Sequence, residues 1–108
     1  MRAGSLNILA GIWLIIAPFV LGYSNVVQAQ WNDIVLGAVI AALAALGALI
    51  KSTVIWTSWI IVALGFWLIV APFILSYPLA ISRWNDIVLG LVVIVIGTWS
   101  ATAEEEKK

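Results

Sequence analysis

Charged side chains punctuate this chain so rarely that the intervals between them define its elements. Uncharged stretches run from Ala3 to Asn32, Ile34 to Ile50, Ser52 to Ser82 and Ile87 to Ala103. Within them the apolar positions are continuous and do not alternate with period two, which favours helices over the strands of an outer-membrane barrel. A helix rises about 1.5 Å per residue, so roughly 20 residues cross about 30 Å of hydrocarbon. Four crossings fit, near Leu6–Tyr23, Trp31–Ile50, Val54–Tyr77 and Trp84–Trp99. The expected fold is an all-α integral membrane four-helix bundle, one membrane domain over residues 1–108. Ala101 to Lys108 form a polar tail that extends the fourth helix into solvent, with Glu104 and Lys108 at the spacing of a weak helical ion pair.

Composition sharpens this. Of the 108 residues 65% are hydrophobic and 9% charged, which excludes a free-standing soluble globule. A membrane domain that takes up these 108 residues is expected to act inside or beside the membrane, without a large extramembrane catalytic domain. Cysteine and histidine are both absent, so there is no thiolate, no disulfide and no imidazole ligand or base. The formal net charge is zero, so no basic footprint for nucleic acid exists. Arg2 ahead of an apolar run, with Val27-Gln28-Ala29 downstream, imitates a secretory signal. The run is longer than a usual signal core, however, and nearly the same segment recurs in mid-chain, so a first crossing is the better reading.

That recurrence is an internal duplication. Gly11 to Tyr23 (GIWLIIAPFVLGY) and Gly65 to Tyr77 (GFWLIVAPFILSY) agree at nine of thirteen positions, and Trp31 to Gly37 and Trp84 to Gly90 both read WNDIVLG. A two-helix unit is therefore written twice, about residues 6–50 and 54–99. Each unit has an even number of crossings, so the copies are expected to lie parallel, related by a pseudo-two-fold along the membrane normal. Lysine and arginine set the orientation: Arg2, Lys51, Lys107 and Lys108 share one side and only Arg83 the other. Both termini are then expected on the cytoplasmic face of the cytoplasmic membrane.

A helix ending W-L-I-x-A-P-F-x-L-x-Y, a short loop and then W-N-D-I-V-L-G resembles the SPW repeat family of small bacterial and archaeal membrane proteins. The resemblance spans about Leu6 to Trp99, and the chain looks like a two-repeat member. The triplet that names the family reads Ala17-Pro18-Phe19 and Ala71-Pro72-Phe73 here. The resemblance implies a membrane location and the fold, and brings no activity with it.

The repeated residues each have a structural reading. Pro18 and Pro72 remove an N–H in the last turns of their helices and free the carbonyls of Leu14 and Leu68, which predicts kinks. Asn32 and Asn85 suit the N-cap of the second helix in each unit, with Asp33 and Asp86 in the first turn, where the helix dipole favours a carboxylate. The rival reading is a paired-carboxylate site, with Asp33 and Asp86 converging on the pseudo-symmetry axis at the outer face. Arg83 is expected to pair with one of these aspartates or to lie among lipid headgroups. Tyr23, Trp31, Tyr77 and Trp84 mark an outer aromatic belt, and Trp56, Trp59 and Trp99 an inner one. Trp13 and Trp67 fall near mid-bilayer, where each indole N–H needs an acceptor such as a proline-freed carbonyl. A pocket for a hydrophobic cofactor is the sharper alternative at these two. Gly37, Ala41, Ala45 and Ala48, flanked by Ala38, Ala42 and Ala44, make the second helix the expected central one, with the valine-rich fourth helix facing lipid or a partner.

These features point to a non-enzymatic membrane protein with no cofactor or metal, self-assembling or serving as an accessory subunit among other membrane proteins in lipid. The alternatives are a small channel or transporter, with Asp33 and Asp86 at an outer mouth and Thr57, Ser58 or Thr98 lining an inner vestibule, and a binder of quinone, pigment or lipid.

Overall fold

The computed structural model describes residues 3–22, 27–77 and 80–106. Four helices follow one another: α1 Leu6–Val20, α2 Val27–Leu49, α3 Val54–Ile74 and α4 Ala80–Glu106, with single 3-10 turns at Ala3–Ser5 and Lys51–Thr53. Among the described residues there is no strand. Consecutive helices pack as hairpins, α1 on α2 and α3 on α4, and the hairpins meet along α2·α3 and α1·α4. Three helices are long and apolar enough to cross a bilayer. The fourth, α1, has 15 residues, about 22 Å, so the expected Leu6–Tyr23 crossing is shorter than the sequence pattern suggests.

The ends of α1 and α3 show why. Both stop two residues after a buried proline, Pro18 or Pro72. The next turn closes through Leu21 N–H to the Ala17 carbonyl at 2.8 Å and Leu75 N–H to the Ala71 carbonyl at 2.7 Å. The chain then enters the left-handed region at Gly22 (φ 83°) and at its repeat equivalent Ser76 (φ 56°). In the second copy Tyr77 N–H reaches back to the Pro72 carbonyl at 3.0 Å, completing a Schellman-type stop. The prolines therefore sit in a terminal turn that a left-handed residue ends. At the other end, α2 and α4 begin four residues before each W-N-D corner. No proline or glycine interrupts residues 27–31 or 80–84, so backbone pairing runs back past it. The backbone of α4 continues beyond Trp99 to Glu106, as the tail pattern predicts. The Glu104–Lys108 pair, along with Arg2, Tyr23, Lys107 and the rest of the first outer loop through Val26, lies outside the described residues.

Within each hairpin two glycines bring backbones into contact. A methyl group on Gly37 would lie 2.5 Å from the Gly11 carbonyl oxygen, and one on Gly90 would lie 2.6 Å from that of Gly65. These four positions are repeat equivalents, so the duplication reproduces the hairpin's closest approach. The interior layer below the W-N-D corners is apolar and equally paired: Leu14 with Leu68, and Ile40 with Val93, all fully buried. The outside is apolar as well, with Phe19, Val20, Leu49, Phe73 and Val95 among many exposed side chains, while Asn7, Asp33, Thr57, Ser58, Ser82, Asp86 and Ser100 are buried. Polar inside and apolar outside is the arrangement hydrocarbon imposes.

The expectation of a central alanine-rich helix is overturned. The most buried span is α3, at 44%, against 28% for α2 and 33% for α4. Ala44 is buried, Ala41, Ala45 and Ala48 are half-buried, and Ala38 and Ala42 face outward. The alanines are spread too far around α2 to share one face, and glycine already provides the close approach.

Two substitutions separate these effects. Nothing lies within 4 Å of a β-carbon built on Gly22, so Gly22→Ala carries only the left-handed penalty, about 1 kcal/mol. Gly37→Ala forces the hairpin apart and should cost more, about 2 to 3 kcal/mol. Unfolding of both variants in detergent micelles reads the order directly.

Candidate functional site

The early starts of α2 and α4 carry the W-N-D corners inside the helices. Asp33 and Asp86 are each the seventh residue of their helix, roughly 9 Å along it. Asn32 and Asn85 are therefore not N-caps, and the aspartates are not in a first turn. Freed from capping, the asparagines serve the other repeat. Trp13 Nε1 donates to Asn85 Oδ1 at 2.8 Å, and Trp67 Nε1 donates to Asn32 Oδ1 at 2.8 Å. Each mid-helix indole thus finds an amide oxygen across the molecule, and the expected acceptors, the Leu14 and Leu68 carbonyls, are not the ones used. The exchange is reciprocal, repeat one to repeat two and back, as parallel copies about a two-fold require.

Between these two bonds stand the carboxyls. Asp33 and Asp86 are both fully buried, and Asp86 hydrogen-bonds Asp33, Tyr77 and Asn32. Because the two aspartates are repeat equivalents in contact, they sit on the axis that relates the hairpins. The two carboxyls of a paired-carboxylate site thus do converge, and both are closed off from solvent. Asn32 orients the group: its Nδ2 donates to the Tyr77 hydroxyl at 2.8 Å and, at a long 3.4 Å, to Asp86 Oδ2. The chain Trp67 to Asn32 to Tyr77 to Asp86 is therefore continuous, each link donating to the next.

Tyr77 was expected in the outer belt and is instead only 3% exposed. Burial first, then the Asp86 and Asp33 carboxyls, push its phenol well above the ordinary tyrosine range, while the hydrogen bond from Asn32 acts the other way. Arg83 pairs with neither aspartate in the hydrogen bond it makes: its Nη1 donates to the Tyr77 carbonyl at 3.0 Å, fixing the turn that delivers the phenol. Trp31, Trp84, Trp56, Trp59 and Trp99 are all exposed. At the opposite end Thr98 is half-buried and does not line the site, whereas Thr57 and Ser58 are buried around a cavity of about 10 Å³. That is far too small for a vestibule. Among the described residues no group of three or more His, Cys, Asp or Glu side chains could hold a metal ion.

The one signal in the sequence that could have revealed this network is the identity of the tryptophans and asparagines in both copies. A polar residue repeated at the same depth of two parallel units is positioned to meet across their axis.

Tyr77 offers a measurable consequence. A raised folded value means that the fold favours the neutral phenol, so its contribution to stability is full below the ordinary value near 10 and fades above it. In a Tyr23→Phe background, which leaves Tyr77 as the sole tyrosine, phenolate absorbance at about pH 11 should stay near zero until detergent unfolds the protein. A solvent-exposed tyrosine would be about nine-tenths ionised there.

Comparison with known proteins returns a family and no individual relative. Neither the curated proteins nor the solved structures include a match to this chain. The family profile described as SPW repeat domain matches residues 1–100, which takes in both hairpins and the whole tryptophan, asparagine and carboxyl network, and the chain therefore belongs to the SPW repeat family.

Proposed function

We propose that this is a non-enzymatic multi-pass protein of the cytoplasmic membrane that assembles with itself, or with other membrane subunits, through the outer face of α2. The observation that carries this reading is the pair Ala38 and Ala42, which the bundle leaves exposed one turn apart, beside exposed Val35 and Val39. Small residues at that spacing admit a second backbone at close range, where dispersion and weak interhelical hydrogen bonds drive association in lipid. Most of the deep polar groups, by contrast, are engaged within the chain, and the indoles and asparagines join one repeat to the other. The layer of Leu14, Ile40, Leu68 and Val93 is fully buried across the axis, which favours a closed structural unit over a conducting one.

Because the chain has no cysteine, single-cysteine variants give a clean background. Ala38→Cys and Ala42→Cys should form disulfide-linked dimers in native membranes, and Val95→Cys, exposed on α4, should not. Equal cross-linking at all three positions rejects the α2 face. The orientation supported by the lysine and arginine distribution places Lys51 on the cytoplasmic side; an impermeant amine reagent should reach it only in inverted vesicles.

A second reading rests on the carboxyl pair, since ionisable groups within a span commonly handle protons or ions. Proteoliposomes holding the purified protein should show no proton current beyond that of empty vesicles. A current lost in the double variant Asp33→Asn, Asp86→Asn would favour transport instead.

A further inference from the structure

The end of the bundle remote from the carboxyls contains a second buried polar cluster, and it is incompletely satisfied. Asn7 is fully buried. Its Nδ2 reaches the Val93 carbonyl only at 3.5 Å, the outer limit of a hydrogen bond, and its Oδ1 has no partner among the described residues. Beside it lies the cavity of about 10 Å³, lined by Asn7, Thr57, Ser58 and Ser100 together with Gly4 and Gly47.

Comparing the repeats explains the space. Ser58 and Ser100 occupy in repeat two the positions that Gly4 and Gly47 occupy in repeat one, and Asn7 stands where repeat two has the buried Ile61. One side of the axis therefore lacks two side chains and presents an amide to the gap. The hydroxyls opposite are partly engaged. Ser58 Oγ donates to Ser100 Oγ at 3.0 Å, and Thr57 Oγ1 donates to the Thr53 carbonyl at 2.8 Å. The Ser100 proton remains available as a donor, and the lone pairs of Thr57 as acceptors.

We propose that this cavity binds a single water molecule, which donates to Asn7 Oδ1 and accepts from the Ser100 hydroxyl. The volume is that of about one water probe, and a buried water needs two to four polar partners, which these side chains supply. An orphaned amide oxygen can be answered by a hydrogen-bond donor or by a cation, but a site of about one water volume has no room for the several oxygen ligands a cation gathers. The lining side chains are also neutral, with no carboxylate to compensate a cation's charge. The water ties the first turn of α1 to the last turns of α4, so the two repeats are joined at this end through solvent as they are joined at the other through indole and amide.

The test is a structure in lipid or detergent resolved well enough to show ordered water, determined in sodium and again with thallium(I) in its place. The expected result is one peak within about 2.7 to 3.2 Å of Asn7 Oδ1, with no anomalous signal under thallium. Absence of a peak overturns the proposal, and so does a peak that scatters anomalously, which would be a cation. Asn7→Ile gives repeat one the residue of repeat two and should abolish the peak; a peak that persists there removes Asn7 as the ligand and also overturns it. Should that variant fail to fold, the wild-type maps decide alone.

Discussion

A polar group inside hydrocarbon finds no bulk water to bond with, so the indoles, amides and carboxyls within the bundle are answered mostly by other parts of the chain. The two tryptophan-to-asparagine bonds, Trp13 to Asn85 and Trp67 to Asn32, are the form this requirement takes. Each joins an early helix of one repeat to the later helix of the other. Once both are made, Asn32 and Asn85 have fixed positions, and the carboxyls that follow them in sequence are carried into contact on the axis. The lateral placement of the hairpins thus follows from satisfying two indoles.

Glycine provides the remaining constraint. Gly11 against Gly37 and Gly65 against Gly90 set the separation inside each hairpin, and the left-handed stops at Gly22 and Ser76 set where α1 and α3 end. Serine at φ 56° is costlier than glycine at that position. It is sustained in repeat two by the Tyr77 N–H bond to Pro72 and by the Arg83 bond to the Tyr77 carbonyl. That turn also aims the phenol at Asp86, so local strain and site geometry coincide in one copy.

Much of this was legible in the amino-acid order. Long uncharged runs specify apolar helices, and the doubled W-N-D-I-V-L-G specifies two hairpins. What escaped was mostly long-range. Nothing local to Trp13 indicates an acceptor 72 residues away, and an asparagine at the head of an apolar run imitates a cap unless the preceding turn is known to be helical. Gly22 is a readable stop signal, while the proline four residues before it is equally compatible with a kink in a longer helix. The alanines misled because small size permits close packing without saying which neighbour will use it.

The reciprocity of the indole bonds bears on how such a chain arose. Both indole bonds have their equivalent in the other copy, so two separate hairpins of identical sequence, arranged about a true two-fold, make the same pair of bonds intermolecularly, with one aspartate meeting its own image. Tandem fusion turns that dimer into a monomer whose integrity no longer depends on concentration. It also releases the halves to differ, as Asn7 and Ile61 do, because an asymmetric substitution no longer has to suit both sides of the interface at once.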